Sequence, residues 1–185
     1  MEWPYEASGY AYGGLVAQPA FCRITFARRG GSDTHRIEPN RTYGCPSTFV
    51  HAASRSVEDI LDALKAGRSF ITAYPTGPRL DLHIGDAGLG ENATILPGME
   101  GLAELENAQV GDILLLLDGI GNRKEWCIPF SGSFHTRFFA DNPKARFYRL
   151  ELYRERLGVP TLTALSNPVY LNPQIGMEKP TIADL

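Results

Sequence analysis

The chain has 185 residues, with 18 Lys and Arg against 21 Asp and Glu, and a formal net charge of -3 at pH 7. This slight acidity argues against a nucleic-acid partner, because proteins that bind phosphate backbones usually carry a basic excess on one face. Hydrophobic residues make up 43% and charged residues 21%, which suits a packed globular fold and excludes the composition typical of disorder. No apolar run approaches the roughly 18 residues of a membrane helix, so no membrane partner is expected either.

The three cysteines, Cys22, Cys45 and Cys127, form no short-spaced pair, and their odd number favours free thiols over a disulfide framework. The N-terminus lacks the basic region followed by an apolar segment that is typical of a signal peptide. We therefore expect a cytoplasmic protein, unless an export signal lies upstream of Met1.

The first half of the chain predicts few regular elements. Residues 1–20 follow neither a helical nor a strand period and are expected to form a loop, and residues 21–26 predict a strand that ends in a polar loop. Residues 56–66 predict a helix, because Ser56 can cap its N-terminus and Gly67 can end it in the left-handed conformation. Residues 69–73 predict a buried strand, and the Pro- and Gly-rich residues 74–78 mark a domain boundary.

Beyond this boundary the pattern favours strands only. We expect strands at residues 80–84, 112–118, 125–128, 135–139 and 146–153, and turns at the glycine-rich residues 85–88 and 119–122. Several short strands separated by turn signals are typical of a β-sandwich. The predicted fold class is therefore α+β and mostly β, with residues from 173 onward forming a tail.

Asp33 and His35 are the strongest candidates for a metal site. Two residues that lie two apart on an extended segment point the same way, so that this carboxylate and this imidazole can bind one zinc, manganese or iron ion. Arg36 follows them and can bind a phosphoryl or carbonyl oxygen of a substrate in a bidentate manner. The alternative is that Asp33 caps a turn and His35 is solvated. His51, His83 and His135 show no spacing that indicates a site and are expected to be ordinary surface or core residues.

An ordered series of motifs resembles the C-terminal half of PHP (polymerase and histidinol phosphatase) domain proteins, in particular the CehA/McbA-like branch of metallohydrolases. The series comprises residues 31–36 (GSDTHR), 43–50 (YGCPSTFV), 63–72 (ALKAGRSFIT), 77–80 (GPRL) and 164–171 (ALSNPVYL). The resemblance implies a distorted (β/α)7 barrel that holds two or three metal ions and hydrolyses phosphate or related esters with metal-activated water. The family's last ligand motif, an Asp-x-His, corresponds here to Asp33 and His35.

The chain departs from the family at its beginning. Such barrels open with a His-x-His motif, whereas residues 1–32 contain no histidine. The resemblance thus implies the C-terminal portion of a PHP-type barrel at residues 1–76, of which residues 1–20 match poorly, then a β-sandwich at residues 77–172 and a tail at residues 173–185. We expect a hydrolase fragment that coordinates its divalent metal incompletely and is inactive alone.

In the full-length protein its partner would be a small-molecule ester substrate; the oligomeric state is left open. The alternative is a non-enzymatic β-sandwich module that binds a partner or a carbohydrate through its loops.

Overall fold

The structure, a computed structural model, describes residues 29–31, 43–140 and 142–171. Within these ranges the chain forms one helix and eleven strands, which confirms the prediction of an α+β, mostly β fold. The helix is α1 (Val57–Ala66). The strands, in chain order, are β1 (Ser47–Val50), β2 (Ser69–Thr72), β3 (Arg79–Ile84), β4 (Asn92–Ala93), β5 (Glu100–Ala108), β6 (Ile113–Leu117), β7 (Arg123–Cys127), β8 (Gly132–Phe139), β9 (Phe147–Arg156), β10 (Val159–Ser166) and β11 (Val169–Leu171).

The helix begins and ends as its sequence predicts. The Ser56 hydroxyl accepts a hydrogen bond from the Asp59 amide at 3.1 Å, which satisfies one of the free amides of the first turn. Gly67 ends the helix with φ 78°, and the amide of Arg68 donates to the Ala63 carbonyl at 2.9 Å. Ala63 is fully buried, whereas the neighbouring apolar Leu61 is 48% exposed. The apolar stripe of α1 is therefore only partly covered.

The predicted strands at residues 69–73, 80–84, 112–118, 125–128, 135–139 and 146–153 are confirmed as β2, β3, β6, β7, β8 and β9, with small shifts at their ends. The strands β1, β4, β5, β10 and β11 were not predicted. The loop expected at residues 1–20, the strand at residues 21–26 and the tail at residues 173–185 lie outside the described residues. Cys45 and Cys127 are free thiols, as predicted; Cys22 also lies outside the described residues.

The strands form two sheets. The large sheet has eight strands, in the order β1-β2-β10-β9-β11-β4, and β6 pairs with β9 on one side and with β7 on the other. The small sheet has three antiparallel strands in the order β3-β5-β8. In the small sheet Asp81 lies opposite Glu104, and Glu104 lies opposite His135. These three residues therefore form one row across its surface.

A single hydrophobic core fills the space between the two sheets. On β3 the side chains alternate, so that Leu80, Leu82 and Ile84 are buried while Asp81 and His83 between them face outward. From the large sheet, the fully buried side chains include those of Leu114, Leu150 and Leu152. Burying each such side chain stabilises the fold by about 1.5–3 kcal/mol. The polar residues of β3 are consequently held on the outer face of the small sheet.

The large sheet includes elements from both sides of the predicted boundary at residues 74–78. Strand β2 pairs antiparallel with β10, with Thr72 opposite Ala164, and Phe70 of β2 belongs to the shared core. The division into a barrel portion and a sandwich domain stays a prediction. No helix in the described part of the chain is long and apolar enough to cross a membrane.

Candidate functional site

The predicted metal ligands Asp33 and His35, and the predicted substrate-binding Arg36, lie outside the described residues. The structure does place Gly30, just before this motif. Its amide donates a hydrogen bond to the Thr48 hydroxyl at 2.9 Å, and that hydroxyl donates to the Gly30 carbonyl at 2.9 Å. A side chain at position 30 would collide with Ile71 of β2. Gly30 is thereby held against the edge of the large sheet formed by β1 and β2.

Motifs that carry the family resemblance contact one another in the described structure. The Asn167 side chain donates to the Ser69 hydroxyl at 2.8 Å, and the Asn167 amide donates to the Ser69 carbonyl at 3.1 Å, although the two residues are 98 positions apart. The amide of Gly90 donates to the Pro168 carbonyl at 2.8 Å. Residues 43–50, 63–72 and 164–171 thus meet at one end of the large sheet, as adjacent strands and the helix that joins them.

A second group of carboxylate and imidazole side chains, which are potential metal ligands, lies on the outer face of the small sheet. Asp81 and His83 are two residues apart on β3, so both side chains emerge on the same face. Glu104 on β5 stands directly opposite Asp81. His51, which follows β1, approaches the same carboxylate from the large sheet. We call His51, Asp81, His83 and Glu104 the β3 cluster.

Asp81 is the centre of the β3 cluster. Its Oδ2 lies 3.5 Å from Nε2 of His83 and 3.9 Å from Nδ1 of His51. Its other oxygen, Oδ1, accepts a hydrogen bond from the Leu82 amide at 2.9 Å, which fixes the carboxylate. One ligand atom each from Asp81, His83 and Glu104 lies within 4.8 Å of the other two. The cluster therefore brings two carboxylates and two imidazoles to one place.

His51 is positioned by contacts on both its backbone and its ring. Its amide donates to the Arg68 carbonyl at 2.8 Å. Its ring meets the Phe70 ring edge to face at 5.9 Å between centroids, and Phe70 in turn stacks on Phe49 at 5.1 Å. Aromatic contacts of this kind restrict the ring positions of both partners. The imidazole is therefore directed at Asp81 by the large sheet.

The arginines of this face are directed at other carboxylates. Arg79 lies 3.7 Å from Glu106 and covers the Phe49 ring at 5.3 Å, and Arg137 contacts Glu100 at 2.7 Å. Each of these arginines is thus engaged by a different glutamate, which leaves the carboxylates of the β3 cluster to the histidines.

The sequence does not predict the β3 cluster, although it contains part of the signal. His51 and His83 were expected to be ordinary histidines, yet residues 81–83 repeat the Asp-x-His spacing on which the prediction for residues 33–35 rests. A predicted strand over residues 80–84 already placed Asp81 and His83 on one face. Glu104 and His51 could not be assigned to the same place, because β5 and β1 were not predicted.

A separate hollow, with a volume of about 640 Å³, is lined by Tyr74, by residues 107–110 at and beyond the end of β5, and by Arg154. Arg154 forms two hydrogen bonds to the buried Asp112, each at 2.7 Å, and donates to the Tyr74 hydroxyl at 2.9 Å. The hydrogen bonds that Arg154 donates to Asp112 hold the pKa of Arg154 above its usual value, against the opposing effect of burial. Arg154 is the one charged residue among the described residues that line the hollow, and Asp112 neutralises its guanidinium.

Comparison of the sequence with models of protein families, with curated proteins and with solved structures finds no match.

Proposed function

We propose that this chain is the C-terminal part of a PHP-type metal-dependent hydrolase that acts on phosphate or related esters and is inactive without the rest of its ligand set. The observation that carries the proposal is the contact between motifs that are distant in sequence. Residues 63–72 and 164–171, two of the most specific parts of the family resemblance, pair as β2 and β10 and bond through Asn167 and Ser69. Contact between these segments is what the proposal expects of parts of one family fold.

The position of Gly30 adds support. The hydrogen bonds between Gly30 and Thr48 attach the residue just before the 31–36 motif to β1, next to the same unit. The exposed apolar stripe of α1, with Val57 at 67% and Leu61 at 48% exposure, is of the kind that a helix of a β/α barrel presents to its neighbours. Both features fit a fold in which this unit is completed by further barrel elements.

The proposed roles follow from the chemistry of the side chains. Asp33 and His35 supply one carboxylate and one imidazole, which suit zinc, manganese or iron. When bound, such an ion supplies a water whose pKa is lowered towards neutrality. Arg36 binds and orients an oxygen of the ester. Two ligands are fewer than the three protein ligands that a catalytic zinc keeps, so the fit is partial and the remaining ligands belong to the rest of the barrel.

The test compares the 185-residue chain with a chain extended by the in-frame coding sequence upstream of Met1. We expect the extension to encode a His-x-His motif, and the extended chain to hydrolyse p-nitrophenyl phosphate or an aryl carbamate when supplied with zinc or manganese. Turnover should be lost in Asp33→Ala and in His35→Ala and kept in His135→Ala, a matched change at an exposed histidine of β8. The 185-residue chain should show no turnover above background.

Two results would contradict this proposal. An upstream reading frame without further histidine motifs removes the ligands that the proposal requires. Turnover by the 185-residue chain that disappears in Asp33→Ala would instead show that this chain holds a complete ligand set by itself.

The second candidate function is a non-enzymatic module that binds a partner or a carbohydrate through loops. The hollow of about 640 Å³ favours it, because loop residues Thr76, Gln109 and Ser131 offer polar groups around its mouth. This alternative predicts that the extended chain has no turnover and that Asp33→Ala changes no measured property.

A further inference from the structure

We propose that the β3 cluster is a zinc site on the outer face of the small sheet, separate from the Asp-x-His motif at residues 33–35. The proposal rests on the described residues alone and does not depend on the proposed hydrolase function. It assigns Asp81, His83 and Glu104 as ligands, leaves the fourth position to water, and makes His51 a neighbour of Asp81.

The distances within the cluster match the geometry of a zinc ion. Zinc binds imidazole nitrogen and carboxylate oxygen at about 2.0–2.2 Å in a tetrahedral arrangement, which places neighbouring ligand atoms roughly 3.3–3.6 Å apart. The 3.5 Å between Oδ2 of Asp81 and Nε2 of His83 lies in this interval. The Glu104 oxygen lies within 4.8 Å of the other two ligand atoms and needs a movement of at most about 1.5 Å, which a side-chain rotation can supply.

The ligands are held in place before any ion binds. Asp81 and His83 emerge from the same strand, Glu104 is fixed opposite Asp81 by the pairing of β3 and β5, and His51 is oriented by Phe70. The Leu82 amide bonds to Oδ1 of Asp81, so that Oδ2 remains directed at the imidazoles. Sites built on strands position their ligands more precisely than sites on loops.

The charge and the solvent access of the cluster also suit a divalent cation. Two ionised carboxylates and two neutral imidazoles carry a formal charge of -2, which one zinc ion neutralises. His51 and His83 are each 42% exposed and Asp81 is 32% exposed, so an ion can enter from solvent. His83 also lines an open hollow of about 510 Å³, so solvent reaches its imidazole. The alternative is that Asp81 only forms ion pairs with protonated histidines, in which case no zinc binds.

The experiment measures zinc binding by calorimetry on the full chain after removal of bound metal with a chelator. It uses the Asp33→Asn/His35→Gln double variant as background, so that the predicted motif does not contribute. We expect this background to bind one zinc ion. Adding Asp81→Asn or His83→Gln should weaken zinc binding at least tenfold. Mutating a residue that only hydrogen-bonds to a metal ligand already lowers metal affinity about 10- to 100-fold, and a ligand should matter at least as much. Glu106→Gln, a matched change on the same face of β5, should leave the affinity unchanged.

Cobalt substitution identifies the ligands independently. A site of nitrogen and oxygen ligands gives visible d–d bands without the near-ultraviolet charge-transfer band of a thiolate, which separates it from binding at Cys45 or Cys127. Circular dichroism of each variant confirms that it is folded.

The proposal is overturned if the background variant binds no zinc, if Asp81→Asn binds as tightly as its background, or if the cobalt spectrum shows a thiolate. The unmodified chain is titrated alongside. Zinc binding by the background variant but not by the unmodified chain would be inconsistent with the proposed site.

Discussion

Arg154 and Asp112 form the most deeply buried ion pair in the described part of the chain. Their side chains are 9% and 1% exposed, and both oxygens of Asp112 accept from the guanidinium. The same carboxylate also accepts from the Gln109 amide at 2.8 Å. A pair of this kind contributes little relative to an apolar replacement of both partners, but removing only one partner leaves a buried charge without compensation.

We therefore predict that Arg154→Met lowers the free energy of unfolding by about 3–5 kcal/mol, since Asp112 then remains buried and unpaired. Arg137→Met is the matched control. Its ion pair with Glu100 has side chains that are 74% and 50% exposed, so its loss should cost less than about 1 kcal/mol. Urea denaturation of the three proteins measures both values. Equal effects of the two substitutions would contradict this account of the Arg154 pair.

At the scale of residues, the sequence contained the Asp-x-His signal twice. Residues 33–35 and residues 81–83 have the same spacing, and the argument that side chains two apart on an extended segment point the same way applies to both. The family resemblance includes the first pair and not the second. Only the described structure shows that the second pair meets a further carboxylate and imidazole, because Glu104 lies opposite Asp81 in the pairing of β3 with β5 and His51 approaches Asp81 from the end of β1.

At the scale of elements, local signals predicted α1 and most strands, and β5 shows where such signals fail. Its sequence, EGLAELENA, is rich in residues that favour helices. The segment is nevertheless a strand, because it lies between β3 and β8 and its Ala103 and Leu105 complete the core. Tertiary pairing therefore outweighs helix propensity here. In α1, by contrast, Ser56 and Gly67 specify the two ends locally, so the sequence alone predicts where the helix begins and ends.

Gly90 joins the helix end to the last strands. It has φ 78°, and a Cβ at this position would overlap the backbone of Ala66 and Gly67. Because its amide also bonds to the Pro168 carbonyl, the segment around it cannot easily move away. Glycine is therefore required here both for its conformation and for the close approach of two backbones.

We predict that Gly90→Ala destabilises the protein more than Gly111→Ala does. Gly111 has a similar φ of 85°, but a Cβ there meets no atom within 4 Å. Each substitution should lower the free energy of unfolding by about 1–2 kcal/mol, because alanine disfavours the left-handed conformation. Gly90→Ala should cost about 1–3 kcal/mol more, because it also overpacks against backbone. Thermal and urea denaturation measure the difference. Equal losses in the two variants would show that Ala66 and Gly67 do not approach Gly90 this closely.

At the scale of the whole molecule, the sequence predicted the fold class but not the order of the strands. The large sheet joins β2 to β10 and β6 to β9, so its strand order depends on contacts between residues that are far apart in the chain. Turn signals and hydrophobic alternation are local and carry no information about such pairing. For the same reason the sequence could not predict that β1 brings His51 to the outer face of the small sheet.

The common core of the two sheets explains why this outer face is available to a ligand. Every second residue of β3 is used for packing, which leaves Asp81 and His83 outside the core and within reach of Glu104. The fold thus places three potential metal ligands on this face, with His51 beside Asp81, and uses no core position for them.

The most direct test of the zinc site is a diffraction measurement at the zinc absorption edge on crystals of the full chain grown with zinc. We predict an anomalous difference peak about 2.0–2.2 Å from Oδ2 of Asp81 and from Nε2 of His83. Zinc peaks only elsewhere, for example at Cys127, with none beside Asp81, would contradict the site.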